Sequence, residues 1–382
     1  MSRQGPPDQQ VRTDALGKQL VVTSSPQFHD KASTARIMWS VSACLLPAAA
    51  WGVYVFGFSA LLVMLAATVA AAVTEWIIAA WMGRGNTLYD GSAVLTGFLV
   101  GLNMPPAIPA YIPIIGSVFA IAVVKWTFGG LGSNWMNPAL AGRVFVFFSW
   151  TGHMTSWKMP ATLPAADAHS GATILGAVKS GVIETGGSVG NPIRYLDRIG
   201  FPRSDLDTAI TSRLNDTILG PLGINIPGGY VDPFVGNIPG SIGEVSALLL
   251  LLGTVYLFYT RIITWEIPTA YFGMFAVLTW LFGGLPLGTG LFTGDVLFHA
   301  FAGGLVLGMF YMATDMVSSP TTSKGMIIYG AGAGFLTFLI RVYGSFPEGV
   351  SLAIILMNMT APMINRYTQP SIFGRAGAEE EA

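Results

Sequence analysis

The chain has 382 residues, of which 52% are hydrophobic and only 10% are charged, and its mean hydropathy is +0.59. A soluble domain carries about 25% charged residues, so this composition excludes a protein with a wholly aqueous surface and predicts one largely covered by lipid. The net charge of −1 at pH 7 provides no basic field for binding nucleic acid. The single cysteine, Cys44, excludes an internal disulfide and an iron–sulfur cluster held by this chain alone.

The chain begins with a polar segment that lacks the short apolar core of a cleaved signal peptide. We therefore expect residues 1–36 to form a disordered or surface arm on the cytoplasmic side. Ten apolar segments follow and predict an all-α, polytopic membrane protein with about ten transmembrane helices. In chain order, the predicted segments are Ile37–Phe56, Phe58–Trp81, Ser92–Leu102, Ile112–Phe128, Ala139–Trp150, Gly243–Ile262, Pro268–Phe282, Asp295–Ala313, Met326–Tyr343 and Gly349–Ile364.

Two of these segments are too short for a full crossing, which takes about 20 apolar residues. Ser92–Leu102 and Ala139–Trp150 each adjoin irregular sequence rich in glycine, proline and asparagine. Such interruptions at membrane depth are typical of broken helices that line a buried site. Errors of several residues in the predicted bounds would explain the short lengths equally well.

The two halves of the chain are weakly alike. "DGSAVLTGFLVGLNMPP" resembles "HAFAGGLVLGMFYMATDMVSSP", and each is followed by an apolar helix with a basic residue, Lys125 or Arg341. Since five crossings reverse the direction of the chain, two five-helix halves would form an inverted repeat. We expect these repeats at residues 37–150 and 243–364.

The placement of basic residues in short loops favours a cytoplasmic location for both termini. The residues that then lie on or near the cytoplasmic side are Arg36, Arg84, Lys125, Arg143, Arg261, Lys324 and Arg366. Only Arg341 lies toward the outside. This orientation puts the polar segment 151–242, which is far longer than an ordinary loop, outside the membrane, and leaves residues 365–382 as a cytoplasmic tail.

The long polar segment contains "DAHSGAT", in which Ser170 and Thr173 flank two small residues. One interpretation is structural: Ser170 caps a short helix over "TILGAVKSG" that ends at Gly181. The other is chemical: Gly171 and Ala172 leave the hydroxyl of Thr173 accessible as a nucleophile toward phosphorus. The tetrapeptide "SGAT" alone favours the structural interpretation.

Further motifs surround this tetrapeptide in a characteristic order. They are "DGSAVLTGFLVGLNMPP", "NPALAGRVFVFFSW", "GNIPGSIGEVSALLLLLG", "MATDMVSSPTTSKG" and "IRVYGSFPEGVSLAIILMNMTAPMINRYTQPSIFG". Together they resemble the large membrane subunit shared by two redox pumps, as the D subunit of the Rnf ferredoxin:NAD oxidoreductase and the B subunit of the sodium-pumping NADH:quinone oxidoreductase. The resemblance extends from Leu20 to Gly374. The terminal stretches "LVVTSSPQFHDKAST" and "RYTQPSIFG", and the short N-terminal arm, favour the Rnf subunit, with the quinone reductase subunit as the alternative.

In that family, Asp-x-x-Ser-Gly-Ala-Thr is the flavinylation motif, which corresponds here to Asp167, Ser170, Gly171, Ala172 and Thr173. The resemblance implies that Thr173 carries FMN through a phosphoester bond made by a separate flavin transferase. It also implies a second, non-covalent flavin, riboflavin, among the helices. The protein would lie in the cell (inner) membrane with the A, B, C, E and G subunits of Rnf, the last of which carries another FMN. It would pass electrons between ferredoxin and NAD, coupled to export of Na⁺ or H⁺.

Two other stretches are candidates for contact with the flavin. "GSIGE" opens the sixth predicted helix, where Gly240, Ser241 and Glu244 either contact the flavin or begin a helix, with Ser241 and Glu244 as a capping box. Asp315 lies in a hydroxyl-rich turn that is either functional or an ordinary polar loop. Family members usually have proline where this chain has Met316, which puts the rigidity of that turn in doubt.

Ionisable residues within predicted membrane helices are candidates for an ion path. Asp295 and His299 are four residues apart on one predicted helix face, so they either form a structural pair or lie on that path. Glu75 and Lys125 lie near predicted helix ends, where side chains can snorkel to the interface.

The sequence contains no motif for a metal, nucleotide-phosphate or dinucleotide site. We find no metal-ligand spacing, Walker motif or dinucleotide fingerprint, so NAD and ferredoxin would bind other subunits. A flavin-free channel or transporter is the alternative from another class, because broken helices in an inverted repeat also suit solute passage. The mass of the chain distinguishes the two, since only the redox function requires an added flavin.

Overall fold

The computed structural model describes residues 11–13, 19–21, 33–85, 87–163, 172–187, 189–223, 225–344, 346 and 349–370. The chain divides into an N-terminal unit, Met1–Thr34, and a second unit, Ala35–Ala382. In the N-terminal unit, strands β1 (Val11–Thr13) and β2 (Gln19–Val21) pair antiparallel. These six residues are the exception to the predicted all-helical chain, since their β-branched side chains favour a ladder.

In the described part of the second unit, all regular structure is helical, and the first five predicted segments coincide with helices. These are α1 (Thr34–Phe56), α2 (Phe58–Trp81), α3 (Ser92–Leu102), α4 (Tyr111–Phe119), which continues as a π-helix over Ala120–Trp126, and α5 (Pro138–Ser149). The predicted bounds of α2 and α3 are confirmed without change. The short length of α3 is thus a property of the fold and not an error of prediction.

The long polar segment folds into short helices. They are α6 (Thr151–Met154), α7 (Ile174–Thr185), α8 (Pro192–Arg198), α9 (Asp205–Leu214) and α10 (Val231–Val235). Two buried carboxylates hold this segment together: Asp207 accepts the backbone N–H groups of Gly229 (2.6 Å) and Val231 (2.8 Å), and Asp232 accepts that of Ser204 (2.9 Å). The long polar segment is therefore folded, and it can hold the side chains of a site in fixed positions.

The remaining predicted segments also coincide with helices. They are α11 (Ala247–Tyr259), α12 (Glu266–Phe282), α13 (Val296–Phe301), α14 (Leu305–Leu307) with a π-helix over Gly308–Met312, α15 (Ser323–Val342) and α16 (Val350–Tyr367). The eighth predicted segment is thus interrupted between α13 and α14. The sixth begins later than predicted, at Ala247, because the preceding residues 236–246 are buried but irregular.

Among the described residues, three helices are both long and apolar enough to cross a membrane, namely α1, α2 and α15. Five shorter helices are also apolar: α3, α4 with its π-helix, α5, α11 and α12. Large apolar side chains are exposed along α2, including Leu62, Leu65, Val69 and Trp76. Lipid accounts for such exposure, so the fold is that of a helical membrane protein.

Glycines allow the apolar helices to approach one another closely. A Cβ atom at Gly330 or Gly334 of α15 would lie 2.5 Å from the carbonyl oxygen of Ile267 or 2.3 Å from that of Tyr271, both on α12. In the same way, a Cβ atom at Gly142 of α5 would lie 2.5 Å from a carbonyl oxygen of α4. Small residues at such contacts let helix backbones pack where no hydrophobic effect drives association.

Candidate functional site

Thr173 is the N-cap residue of α7. Its backbone is extended (φ −71°, ψ 161°), and its Oγ1 accepts the backbone N–H of Gly176 at 3.0 Å. A helix cap was predicted here, but at Ser170, which lies outside the described residues together with Asp167 and Gly171. Both Ser and Thr are strong cap residues, so their spacing alone does not select between them.

The helix that follows Thr173, α7, is longer than predicted. It passes through Gly181 and ends at Thr185, with Gly186 in the left-handed conformation (φ 63°) as its C-cap. Gly181 serves packing instead, because a Cβ atom there would lie 2.3 Å from the ring of Tyr195. The predicted end at Gly181 is therefore wrong, since the glycine makes room for a ring within the helix.

The hydroxyl of Thr173 was expected to be accessible, but its residue is only 5% exposed. As the cap, Oγ1 points to the backbone N–H groups of the first turn of α7. The next two residues, Ile174 and Leu175, are also buried. Ala172 is half-buried. An anion esterified to Oγ1 would lie at the positive end of a 12-residue helix, a location that stabilises negative charge.

A cavity of about 490 Å³ lies beside α7. We call it the α7 cavity: Val178, Lys179 and Val182 line it on the α7 side, and His299 of α13 and Arg341 of α15 line it on the other. Cavities of about 300–1,000 Å³ with mostly apolar walls are typical of ligand sites. Sequence reasoning missed this cavity because its walls come from distant parts of the chain.

Lys179 connects α7 to the end of α15. Its Nζ donates hydrogen bonds to the backbone oxygens of Arg341 (3.1 Å) and Phe346 (2.9 Å). Burial, together with the charge of Arg341, lowers the pKa of the Lys179 amine from 10.5 to about 8. No spacing rule signals this contact, since 162 residues separate Lys179 from Arg341.

Asp295 and His299 do not form the predicted pair. Asp295 is the N-cap of α13, with Oδ1 accepting the N–H of Phe298 at 2.9 Å. Its Oδ2 accepts hydrogen bonds from Tyr230 Oη and, at 3.5 Å, from Asn191 Nδ2. The helical i, i+4 geometry fails because Asp295 is a cap with non-helical ψ (93°), so its carboxylate turns toward the long polar segment.

Asp295 and His299 therefore have different surroundings, and Tyr230 is a partner of Asp295. Burial and the neighbouring Asp295 raise the pKa of the Tyr230 phenol, which keeps Tyr230 a hydrogen-bond donor at neutral pH. His299 is buried, and its Nδ1 has no hydrogen-bond partner within the described part of the chain. Its backbone oxygen accepts a hydrogen bond from Arg341 at 2.5 Å.

The predicted capping box at "GSIGE" is wrong. The cap of α11 is Ser246, whose Oγ accepts the N–H of Leu249 at 3.3 Å. Glu244 is buried, and its Oε1 lies 2.7 Å from the guanidinium of Arg143. A buried arginine attracts this carboxylate more strongly than a backbone N–H does, so Glu244 turns inward.

Arg143, predicted on or near the cytoplasmic side, is buried within the protein. Besides Glu244, it donates hydrogen bonds to Asn103 Oδ1 (2.7 Å) and Ser351 Oγ (2.9 Å). These partners belong to different parts of the fold: Asn103 ends α3, and Ser351 is on α16. Arg143 is therefore a structural centre that joins the two groups of membrane helices.

Gly240 and Ser241 are buried next to this centre. Among the described residues, Ser241 Oγ has no hydrogen-bond partner. Ile174, which follows Thr173, and Ile238, which precedes Gly240 by two residues, line one small cavity of about 20 Å³. The two predicted flavin sites thus approach each other, although Glu244 itself is directed toward Arg143.

Asp315 accepts a hydrogen bond from Ser318 Oγ at 2.7 Å in a turn after the π-helix of the eighth segment. It lines a cavity of about 110 Å³ together with Asn134, Asn137 and Lys125. The turn is therefore both an ordinary polar turn and part of the wall of a cavity.

Glu75 and Lys125 do not snorkel. They form a buried ion pair of 2.9 Å with side-chain exposures of 1% and 3%. Ser92 Oγ accepts from Lys125 Nζ at 2.7 Å, and Glu75 Oε2 accepts from Trp126 Nε1 at 2.7 Å. The snorkelling interpretation is wrong because both charges are buried and have hydrogen-bond partners inside the protein.

Comparison with known proteins shows which family the chain resembles over its length. The model of the NQR2, RnfD, RnfE family matches residues 21–374. The D subunit of the "Proton-translocating ferredoxin:NAD(+) oxidoreductase complex" of Clostridium ljungdahlii is 43% identical, over 93% of this chain and 96% of that protein. The D subunit of the "Na(+)-translocating ferredoxin:NAD(+) oxidoreductase complex" of Acetobacterium woodii is 41% identical, over 95% and 98%.

A third relative, the D subunit of the "Ion-translocating oxidoreductase complex" of Stutzerimonas stutzeri, is 36% identical over 90% of this chain and 93% of that protein. The match to the family model and the three relatives each extend over nearly the whole chain. The chain therefore belongs to the NQR2, RnfD, RnfE family.

Proposed function

We propose that this chain is the D subunit of an Rnf-type complex that transfers electrons between ferredoxin and NAD and couples the transfer to ion export. The observation that carries this proposal is the identity of 43% and 41% to two D subunits over more than nine tenths of the chain. One of these relatives is named for protons and the other for Na⁺, so their likeness supports ion translocation and leaves the ion undetermined.

The proposed cofactor is FMN esterified to Oγ1 of Thr173. The residues present fit such a group: the oxygen is at a helix N-terminus, where the backbone N–H of Gly176 already points to it, and the phosphodiester retains one negative charge. When bound, FMN supplies reversible redox chemistry that amino-acid side chains lack. Because Thr173 is buried by its own cap, attachment by a separate flavin transferase requires the first turn of α7 to open.

The proposed architecture is an inverted repeat of two five-helix halves, residues 37–150 and 243–364. Supporting it, the third member of each half is short or interrupted: α3 in the first, and α13 with α14 in the second. In both halves this member packs against the second helix, α2 or α12. An arm (1–36) and a tail (365–382) in the cytoplasm, and segment 151–242 outside, complete the proposed topology.

Ion coupling is energetically feasible on this scheme. One electron that falls through 100 mV releases about 2.3 kcal/mol, which equals the cost of moving one charge against the same potential. Asp295 and His299 stay candidates for the ion path as separate residues.

Riboflavin, the proposed second flavin among the helices, does not fit the cavity beside Asp315. That cavity has a volume of about 110 Å³, which is below the range of about 300–1,000 Å³ for ligand pockets.

The proposed partners are the A, B, C, E and G subunits of Rnf, with the G subunit as the second carrier of FMN. The B subunit of the sodium-pumping quinone reductase is the close alternative, separable by whether the purified complex exchanges electrons with ferredoxin or reduces quinone. The flavin-free channel or transporter has less support, because the relatives are named as oxidoreductase subunits.

The experiment that tests the flavin site compares Thr173→Ala with Thr173→Ser. Serine keeps both a hydroxyl and a helix cap, whereas alanine removes both, with a loss of about 1 kcal/mol from the cap. We expect the alanine variant to assemble without covalent flavin and the serine variant to retain some. In-gel flavin fluorescence measures the difference, and a fluorescent band from the alanine variant would exclude Thr173 as the attachment point.

A further inference from the structure

We propose that the flavin ring carried by Thr173 binds in the α7 cavity, with Lys179 and His299 as its polar contacts. This inference rests on the proposed function, since it takes FMN on Thr173 as given. It adds the location of the ring and the residues that hold it.

The first argument is reach. Thr173 caps α7, and the cavity wall on that helix begins at Leu175 and continues through Val178 to Val182. At a rise of about 1.5 Å per residue, Val178 is about 7.5 Å along the axis from Thr173. An extended ribityl chain between phosphorus and ring spans a comparable length, so the ring arrives at the cavity without a change in the fold.

The second argument is size and chemical character. The cavity holds about 490 Å³, which is within the range for small-molecule ligands. Its walls combine aliphatic side chains, such as Val178 and Val182, with the aromatic side chains of Phe298 and Tyr343. A flavin ring is likewise a flat, largely apolar body with polar atoms confined to its edges.

The third argument is an unsatisfied polar atom. His299 is 8% exposed and lines the cavity, and within the described residues its Nδ1 has no hydrogen-bond partner. A buried polar atom without a partner destabilises a folded chain, so its presence here calls for an explanation. The carbonyl and nitrogen atoms along the flavin edge can supply the partner.

The fourth argument is charge. Lys179 Nζ has three donors, and within the described residues two of them reach backbone oxygens, those of Arg341 and Phe346, which leaves one for a ligand. Arg341 lines the same cavity. Positive charge at this location favours a phosphodiester and an electron-rich ring, and therefore favours the reduced flavin over the oxidised one.

A contact reporter tests the location directly. Both Ile183 and the next residue, Glu184, are exposed on α7, but Ile183 lines the cavity and Glu184 does not. Tryptophan in contact with a flavin quenches its fluorescence, so we expect Ile183→Trp to lower several-fold the fluorescence of the FMN on this chain, taken as the part of the native signal that Thr173→Ala removes. We expect Glu184→Trp to leave it near the wild-type level.

The variants His299→Leu and Lys179→Gln test the polar contacts. The measured quantity is the reduction potential of the FMN attached to Thr173. Both variants should lower the potential, because each removes a group that favours the electron-rich ring. Unchanged potentials would show that the two residues do not contact the ring. His299→Phe, which keeps a planar ring without a donor, provides a second variant if His299→Leu fails to assemble.

Failure of this inference is distinct from failure of the proposed function. Loss of in-gel fluorescence in the wild type would mean that the chain carries no covalent flavin, which contradicts the proposed function. A fluorescent band in the gel, with equal native fluorescence in Ile183→Trp and Glu184→Trp, would contradict only the location of the ring.

Discussion

Arg143 and Glu244 lie 2.7 Å apart in the protein interior, although 101 residues separate them in the chain. Arg143 is on α5, in the first group of membrane helices, and Glu244 is in the irregular segment that enters the second. Gly304 makes room for the carboxylate, since a Cβ atom there would lie 2.2 Å from Glu244 Oε1. The ion pair therefore joins α5 to the irregular segment that precedes α11.

We expect Glu244→Ala to destabilise the protein by about 3–5 kcal/mol, because it removes the carboxylate that neutralises the buried charge of Arg143. The double variant Arg143→Leu with Glu244→Ala should recover much of that loss, since it removes both buried charges. Thermal unfolding in detergent measures the two. A double variant less stable than Glu244→Ala would show that the arginine acts through its other partners, Asn103 and Ser351.

Lys179 predicts a dependence of stability on pH. Its pKa is about 8 in the folded protein, against 10.5 for an unperturbed lysine. Between these values the unfolded chain binds more protons than the folded one, so the contribution of Lys179 to stability rises with pH and is lost as pH falls through about 8. Lys179→Met should reduce the slope of melting temperature against pH in this window. An identical slope in wild type and variant would contradict the lowered pKa.

The sequence predicted the apolar helices well but predicted few of their polar contacts. The bounds of α2 and α3 coincide with the predicted Phe58–Trp81 and Ser92–Leu102, because uninterrupted apolar runs between turn residues are local signals. The pairs Arg143–Glu244 and Glu75–Lys125 depend on long-range packing, for which a single sequence carries no signal. Hence Lys125, which was expected to snorkel to the interface, is buried in an ion pair.

The candidate site shows the same division. The sequence located Thr173 and a helix start within a few residues, since capping depends on nearby hydroxyls. It paired Asp295 with His299 because it treated Asp295 as a helix residue, whereas the structure makes Asp295 a cap. The α7 cavity was beyond prediction, because His299 and Arg341 reach it from helices more than a hundred residues away from Lys179.

The proposed topology predicts that α7 faces away from the cytoplasm. Ser180 is exposed on α7, and Cys44 is a buried free cysteine. In a Cys44→Ala background, a cysteine substituted for Ser180 should react with a membrane-impermeant thiol reagent in intact cells. Labelling in inverted vesicles alone would reverse the topology and put the flavin on the cytoplasmic side.

Asp295 and His299 predict separate effects on coupling. With Asp295→Asn, the hydrogen bonds to Tyr230 and Asn191 can persist in altered form, so electron transfer should continue. If Asp295 lies on the ion path, the ratio of ion uptake to electron flux in reconstituted vesicles should fall. His299→Gln, which changes no charge near Asp295, is measured as a second and separate variant, and an unchanged ratio in both variants would remove both residues from the path.

The central claim is that Thr173 carries FMN, and mass spectrometry of the purified protein tests it most directly. We predict an intact mass that exceeds the sequence mass by one FMN less one water, with the added mass on the peptide that contains Thr173. Thr173→Ala should return the chain to its sequence mass. A wild-type chain at its unmodified mass, or flavin mapped to another residue, would contradict the account.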